Sequence, residues 1–352
     1  MYNKLEKIMY TRTQTRPVFV KGLQLGGNDK VYIQSMTTTK TSDVAATVAQ
    51  IHALERAGCE IVRVACLTME DAKAIGRIKK QITIPIVADI HYNPTYALEA
   101  IKQGVDKIRI NPANIGDHAG VKQVVLAAKD AGIPIRIGVN SGSFKSHENI
   151  VEQMLEYAQK NIDLLTSLDF HDIVLSFKST NLRHVLAVNR FAAERWPYPL
   201  HIGMTEAGTM ISGSVKNAIG IGNLLLDELG NTIRVSITVD PVEEIKVCKE
   251  ILKNFDLYDA PTIIACPTCG RLQYDMFNVV NEVEDRIQHL KKKITIAVMG
   301  CSVNGPGESK MADIGIAGGK GEVLLYKYGK VIRKIPESEA VDVLVAEIES
   351  MQ

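Results

Sequence analysis

No stretch of this 352-residue sequence stays apolar long enough to cross a membrane. Met1 to Arg16 is polar and mixed in charge, where an export signal would need an apolar core. Low-complexity tracts are absent. So is an excess of either charge: 41 basic residues face 40 acidic ones, a net +1. That balance provides no basic field for nucleic acid and no acidic tail for a partner. Six cysteines in a chain without an export signal predict a cytoplasmic protein, whose thiols serve metals or the core rather than disulfides. What is present is ordinary for a soluble protein with a substantial core, 46% hydrophobic and 23% charged. At this length, one large domain plus a small one is expected.

After a hairpin-like opening (Val18 to Gly22, then Gly26-Gly27), short β-branched runs alternate with amphipathic helical stretches. Strands are expected over Val31–Ser35, Glu60–Ala65, Ile84–Asp89, Lys107–Ile110, Pro134–Val139, Asp172–Phe177, Leu200–Met204 and Ile233–Thr238. Between them lie helical patterns, from Asp43–Ala57 through to Pro241–Asn254. Asp240, Pro241 and Glu243 supply an N-cap, an N1 proline and an N3 acid in order, and Gly58 and Gly132 sit where two helices should stop. Eight strand–helix units in succession predict an α/β fold, a (β/α)8 TIM barrel. Beyond Leu257 the pattern changes to a small α+β domain, with strands at Pro261–Ala265 and Ile294–Met299 leading into cysteines. The expected division is residues 1–256 for the barrel and 257–352 for the tail.

In such a barrel the working face is the C-terminal end of the strands. There the sequence places Arg63, Asp89, His91, Arg109, Arg136, Asn140, Lys178, Glu206 and Ser236. Charge in a water-poor interior is costly unless paired. Three arginines and a lysine facing few acids call for an anion, and arginine forks suit phosphate oxygens. A small, multiply charged phosphate ester is the expected ligand. Asp89, His91 and Glu206 remain for its hydroxyls and for acid–base work.

Cys266 and Cys269 stand two residues apart, and Cys301 follows 32 residues after the second. Three thiolates can hold a cubane iron–sulfur cluster by three irons, with Glu308 the nearest candidate for the fourth. The Cys266/Cys269 pair also reads as half of a zinc site completed by Cys301 and a histidine such as His289, or as a thioredoxin-like dithiol. Spacing alone leaves these open. Direction adds a further expectation: the last barrel helix runs away from the working face, so the tail reaches a partner's barrel mouth more easily than its own. That geometry predicts a head-to-tail homodimer with shared active sites. Cys59, Cys66 and Cys248 are expected to be small buried hydrophobes.

Several motifs together resemble the 4-hydroxy-3-methylbut-2-enyl diphosphate synthase family, iron–sulfur enzymes of the non-mevalonate isoprenoid pathway. They are Cys266-Pro267-Thr268-Cys269-Gly270-Arg271, Met299 to Glu308 (MGCSVNGPGE), Ala88-Asp89-Ile90-His91, Thr205-Glu206-Ala207-Gly208 and Gln34-Ser35-Met36-Thr37. The likeness covers essentially the whole chain and matches the two-domain bacterial form. It implies a [4Fe–4S] cluster on Cys266, Cys269, Cys301 and Glu308. It further implies reductive ring opening and dehydroxylation of 2-C-methyl-D-erythritol 2,4-cyclodiphosphate. Arg63, Arg109, Arg136 and Lys178, helped by Asn140 and Ser236, would grip the diphosphate. Asp89, His91 and Glu206 would face the carbon skeleton, with Glu206 delivering the proton. Flavodoxin or ferredoxin would supply electrons, and the cluster domain would cap the partner's barrel. The competing expectation is a non-redox phosphate-ester barrel enzyme, such as a pterin-type condensing enzyme, with a zinc-stapled tail.

Overall fold

The computed structural model describes residues 9–91, 93–110, 118–146, 148–301, 311–319 and 321–351. The chain divides into two units, Met1–Leu257 and Tyr258–Gln352. In the first, β1 (Val18–Val20) and β2 (Leu23–Leu25) pair as an antiparallel hairpin. Its turn residues Lys21 and Gly22 have φ of 46° and 82°, the two positive values of the tight turn that matches strand twist.

Eight parallel strands follow among the described residues: β3 (Tyr32–Met36), β4 (Ile61–Cys66), β5 (Ile86–Ile90), β6 (Lys107–Ile110), β7 (Ile135–Asn140), β8 (Ile173–Lys178), β9 (His201–Ile202) and β10 (Thr232–Ile233). Their order is β8-β7-β6-β5-β4-β3-β10-β9. A parallel bridge from Leu175 to Leu200 returns the first of these to the last, so the sheet all but closes into the expected barrel. Helices alternate with the strands: α1 (Val44–Ala57), α2 (Met69–Lys79), α3 (Pro94–Lys102), α4 (His118–Asp130), α5 (Ile150–Ser167), α6 (Leu182–Arg195), α7 (Met210–Leu226) and α8 (Pro241–Lys253). The cap residues act locally as their chemistry dictates. The Asp240 carboxylate accepts from the Val242 amide at 2.8 Å, and α1 ends on Gly58 at φ 101°.

The hairpin plugs the end of the barrel where the strands begin. Val18, Val20 and Leu25 pack there with Ile61, Val87 and Val174, all six fully buried. The interior is therefore blind at that end and open only where the strands finish.

Two strands are shorter than expected. The ladder over Leu200–Met204 and Ile233–Thr238 reduces to His201–Ile202 and Thr232–Ile233. Gly203 explains the difference: at φ +152° its backbone lies so close that a Cβ would sit 2.2 Å from the Arg234 carbonyl oxygen. The last cross-strand bond runs from the Arg234 amide to the Ile202 carbonyl, 3.1 Å, and the chain then bends off toward α8.

The second unit is a five-stranded sheet of β11 (Pro261–Ala265), β12 (Ile294–Met299), β13 (Ile314–Gly318), β14 (Glu322–Lys327) and β15 (Lys330–Pro336), in that order. The first three strands are parallel and the last two antiparallel. Helices α9 (Met276–Ile287) and α10 (Ala340–Ser350) cover one face through Val283, Leu344 and Ile348, packed on Ile296, Val298, Ile314 and Ile316. This is the small α+β fold expected from the sequence. Among the described residues no helix is long and apolar enough to cross a membrane.

The plug generates a prediction. Leu25→Ala should cost about 3 kcal/mol, read as a lower urea midpoint of the full chain. An unchanged midpoint would show that the hairpin is not part of the barrel core.

Candidate active site and thiol centre

Alternate residues of a barrel strand face the interior, and near the strand ends those positions carry charge. A cavity of about 190 Å³ opens there. Arg63 of β4, Asp89 of β5, Arg109 of β6, Arg136 of β7 and Lys178 of β8 line it, with His91, Asn140 and Ser236 at or just beyond strand ends. All eight were expected from the sequence. Gly138 of β7 leaves room for this crowding, since a Cβ there would lie 2.7 Å from Arg109 Nε.

Glu206 is placed differently. Its side chain is exposed, its φ is 51°, and Thr205 rather than Glu206 lines the cavity. Arg234 lines the cavity and was not singled out from the sequence. Its signal was available: it stands two residues before Ser236, on the same side of an extended run. Glu308 lies outside the described residues.

Asp89 is the one carboxylate among the described lining residues. Arg109 Nη1 donates to its Oδ1 at 2.9 Å, and Arg63 Nε stands 3.7 Å from its Oδ2. His91 Nε2 lies 3.5 Å from Asp89 Oδ1 and 3.0 Å from Arg109 Nη1. Nε2 thus stands against both the carboxylate and the guanidinium, and the ring tautomer sets which of them it bonds. Burial alone would raise the Asp89 carboxyl, but Arg63, His91 and Arg109 hold it well below the usual carboxylate range.

The cations are not matched. Burial lowers Arg63 to about 10, against the pull of Asp89 and with the push of Arg234 and Arg109. Burial and neighbouring cations also drive Arg136 and Lys178 well below their ordinary values. Arg136 Nε and Nη1 have no hydrogen-bond partner among the described residues. Deeper still, Lys107 is fully buried with its Nζ unpartnered among the described residues, and burial beside Arg136 and Arg63 brings its ammonium down to about 7. Four guanidinium groups and an ammonium thus surround one lining carboxylate. A ligand presenting several anionic oxygens meets that need.

In the second unit, strand pairing gathers the thiols. β11 and β12 are adjacent and parallel, so Cys266 and Cys301 leave the same end of the sheet. Cys269 follows in the turn after β11, and all three line a hollow of about 100 Å³ together with Arg271. The Gly300 amide donates to Cys266 Sγ at 3.2 Å. A side chain at Gly300 would strike Leu272 at 2.4 Å. The Cys269 thiol is lowered by hydrogen bonds from the backbone and side chain of Arg271. Among the described residues no three His, Cys, Asp or Glu side chains converge on a single metal ion. Three soft donors spread around one hollow, with an amide aimed at a sulfur, fit a multi-iron cluster. Cys59, Cys66 and Cys248 are buried, and burial pushes each thiol up to about 12, as expected of small hydrophobes.

Residues 15–249 match the GcpE TIM-barrel domain, and residues 262–350 match the GcpE protein C-terminal domain. The chain belongs to the GcpE family. It is 54% identical over 347 residues to a Geobacillus thermodenitrificans protein named 4-hydroxy-3-methylbut-2-en-1-yl diphosphate synthase (flavodoxin), covering 97% of this chain and 93% of that one. A Shouchella clausii protein of the same name is 52% identical, with 97% and 95% covered. Among solved structures, Yersinia pestis dihydropteroate synthase with a sulfonamide drug overlays with a TM-score of 0.52 at 11% identity, over 68% of this chain and 99% of that one. The Stenotrophomonas maltophilia dihydropteroate synthase gives 0.52 at 12% identity, over 69% and 97%. At such identity the likeness is one of barrel fold alone, and it lends nothing to the non-redox expectation.

Two pH effects follow for this GcpE chain. Asp89 has a folded-state pKa below its unfolded value, so its stabilising contribution is full above about pH 4 and is lost on further acidification. Asp89→Asn should remove that acid dependence and lower stability at neutral pH by about 3 kcal/mol, as two guanidinium groups lose their counter-charge. Lys107 behaves oppositely. Its folded value of about 7 lies below the unfolded one near 10, so the unfolded chain binds more protons between them and stability rises with pH over that window. Lys107→Met should abolish the rise and raise the unfolding midpoint at pH 7; a lower midpoint would mean that the buried ammonium is paired.

Proposed function

We propose that this chain makes 4-hydroxy-3-methylbut-2-en-1-yl diphosphate by reductive ring opening and dehydroxylation of 2-C-methyl-D-erythritol 2,4-cyclodiphosphate. It acts as an iron–sulfur oxidoreductase of isoprenoid biosynthesis in the cytoplasm, with flavodoxin or ferredoxin as electron donor. The observation that carries this reading is the cationic cavity at the strand ends, in a chain whose near-full-length relatives at 52–54% identity bear that enzyme's name.

Arg63, Arg109, Arg136, Lys178 and Arg234 hold the diphosphate oxygens, and Asn140 and Ser236 donate to those that remain. The bound anion supplies the charge that the empty ring of cations lacks, so part of the binding energy is relief of their mutual repulsion. Asp89 is clamped by Arg109 and Arg63 and keeps His91 in place, and both face the hydroxyl-bearing carbons. Loss of a hydroxyl as water requires a proton at the leaving oxygen. Glu206, exposed in its loop, takes that proton from solvent and delivers it from a carboxyl oxygen. Cys266, Cys269 and Cys301, with Glu308 as the fourth ligand, hold a [4Fe–4S] cluster. When bound, the cluster supplies single electrons and Lewis acidity. The chain works as a head-to-tail homodimer in which the tail of one chain serves the barrel mouth of the other. The direction expected of the last barrel helix, away from the working face, supports this reading. Neither nucleic acid nor membrane is a partner.

Anaerobic turnover of the cyclodiphosphate with a strong reductant tests the reading. The expected protein is brown, contains iron and sulfide, and converts the substrate. Zinc in place of iron in oxygen-protected material would sink it. Glu206→Gln should slow turnover by about a hundredfold or more with little change in KM, and unchanged turnover would remove Glu206 from the catalytic set.

A further inference from the structure

Arg234 stands where the barrel ladder ends. Beyond it the chain no longer pairs with a neighbouring strand, yet it must hold Arg234 and Ser236 toward the cavity. The arginine's neighbours push it away: Lys178, Arg136 and Arg63 all lie close enough to depress one another's protonation. One acid meets it from behind. Glu244, in the first turn of α8, is 4% exposed and does not line the cavity. Its Oε2 lies 3.6 Å from Arg234 Nε and accepts from Ser35 Oγ of β3 at 3.4 Å. Its Oε1 accepts from the Ile237 amide at 3.1 Å. The single carboxylate therefore ties together the arginine, the strand on one side, and the backbone that carries Ser236.

We propose that Glu244 is a positioning residue for the diphosphate grip, acting through Arg234 and the Arg234–Ile237 segment rather than on the substrate. With Nε toward Glu244 and Nη1 3.8 Å from Met36 Sδ, the guanidinium is held in one orientation at the cavity wall. Without that hold, like charge drives the guanidinium outward, and substrate binding must first reorder it. The buried acid is matched to this task. Burial raises its carboxyl, while Arg234, the Ile237 amide and Lys178 oppose the rise.

This inference rests on the proposed function, and a double-mutant cycle on the holoenzyme separates the two. Wild type, Glu244→Gln, Arg234→Met and the double variant are compared in steady-state turnover of the cyclodiphosphate. Glu244→Gln should raise KM about tenfold and leave kcat within about twofold. In the Arg234→Met background it should raise KM no further. Additive effects, or a wild-type KM in Glu244→Gln, overturn the proposal. If Glu244→Gln does not fold, Glu244→Asp keeps the charge and enters the same cycle under the same criteria. If wild-type holoenzyme does not turn over the cyclodiphosphate, the functional reading fails by itself. The cycle is then read from calorimetric binding of inorganic pyrophosphate, where the same non-additivity is required and additivity overturns the positioning role.

Discussion

The ion pair between Arg109 and Asp89, at 2.9 Å inside the barrel, is the constraint around which the rest of the site is arranged. It is the strongest local answer to an otherwise uncompensated positive interior. It fixes the middle of the cavity, holds His91 within hydrogen-bond distance and sets Arg63 at a second edge of the same carboxylate. Among the described residues Arg136 keeps two nitrogens without partners, and Lys107 is buried close by. These cations repel one another, and a ligand with several anionic oxygens would relieve that repulsion.

Two kinds of support hold the cations in place. One is steric: Gly138 yields the volume that Arg109 occupies, and the close approach at Gly203 ends a ladder so that Arg234 can turn toward the cavity. The other is electrostatic and comes from outside the cavity, through Glu244 on α8. Even Met36 contributes, its sulfur 3.0 Å from Arg63 Nε, a soft acceptor that orients a guanidinium without neutralising it.

Much of this was legible in the sequence, because barrel strands and helices differ in period and because charge at a strand end is anomalous in an apolar pattern. β6, β11 and β12 fall where β-branched runs place them, and eight of the expected site residues meet in one cavity. The departures have tertiary causes. β9 and β10 are short because two backbones crowd at Gly203, a contact between residues about thirty apart that no local pattern encodes. Glu206 sits out of the cavity because its loop takes a left-handed turn at φ 51°. Lys107 opens a strand, where a lysine is ordinarily solvated, yet it is fully buried because the hairpin seals that end of the barrel. Arg234 is legible through the period of two that it shares with Ser236.

The pairing of β11 with β12 orders events in time as well as space. Cys266 and Cys269 share one turn and are neighbours as soon as they are made. Cys301 joins them only after the intervening α9 has formed and the second strand has docked on the first. A nascent tail therefore presents two thiols, enough to capture a stray ion but not to anchor a cluster by three corners. Any group that needs all three thiols therefore finds them together only once the sheet is complete.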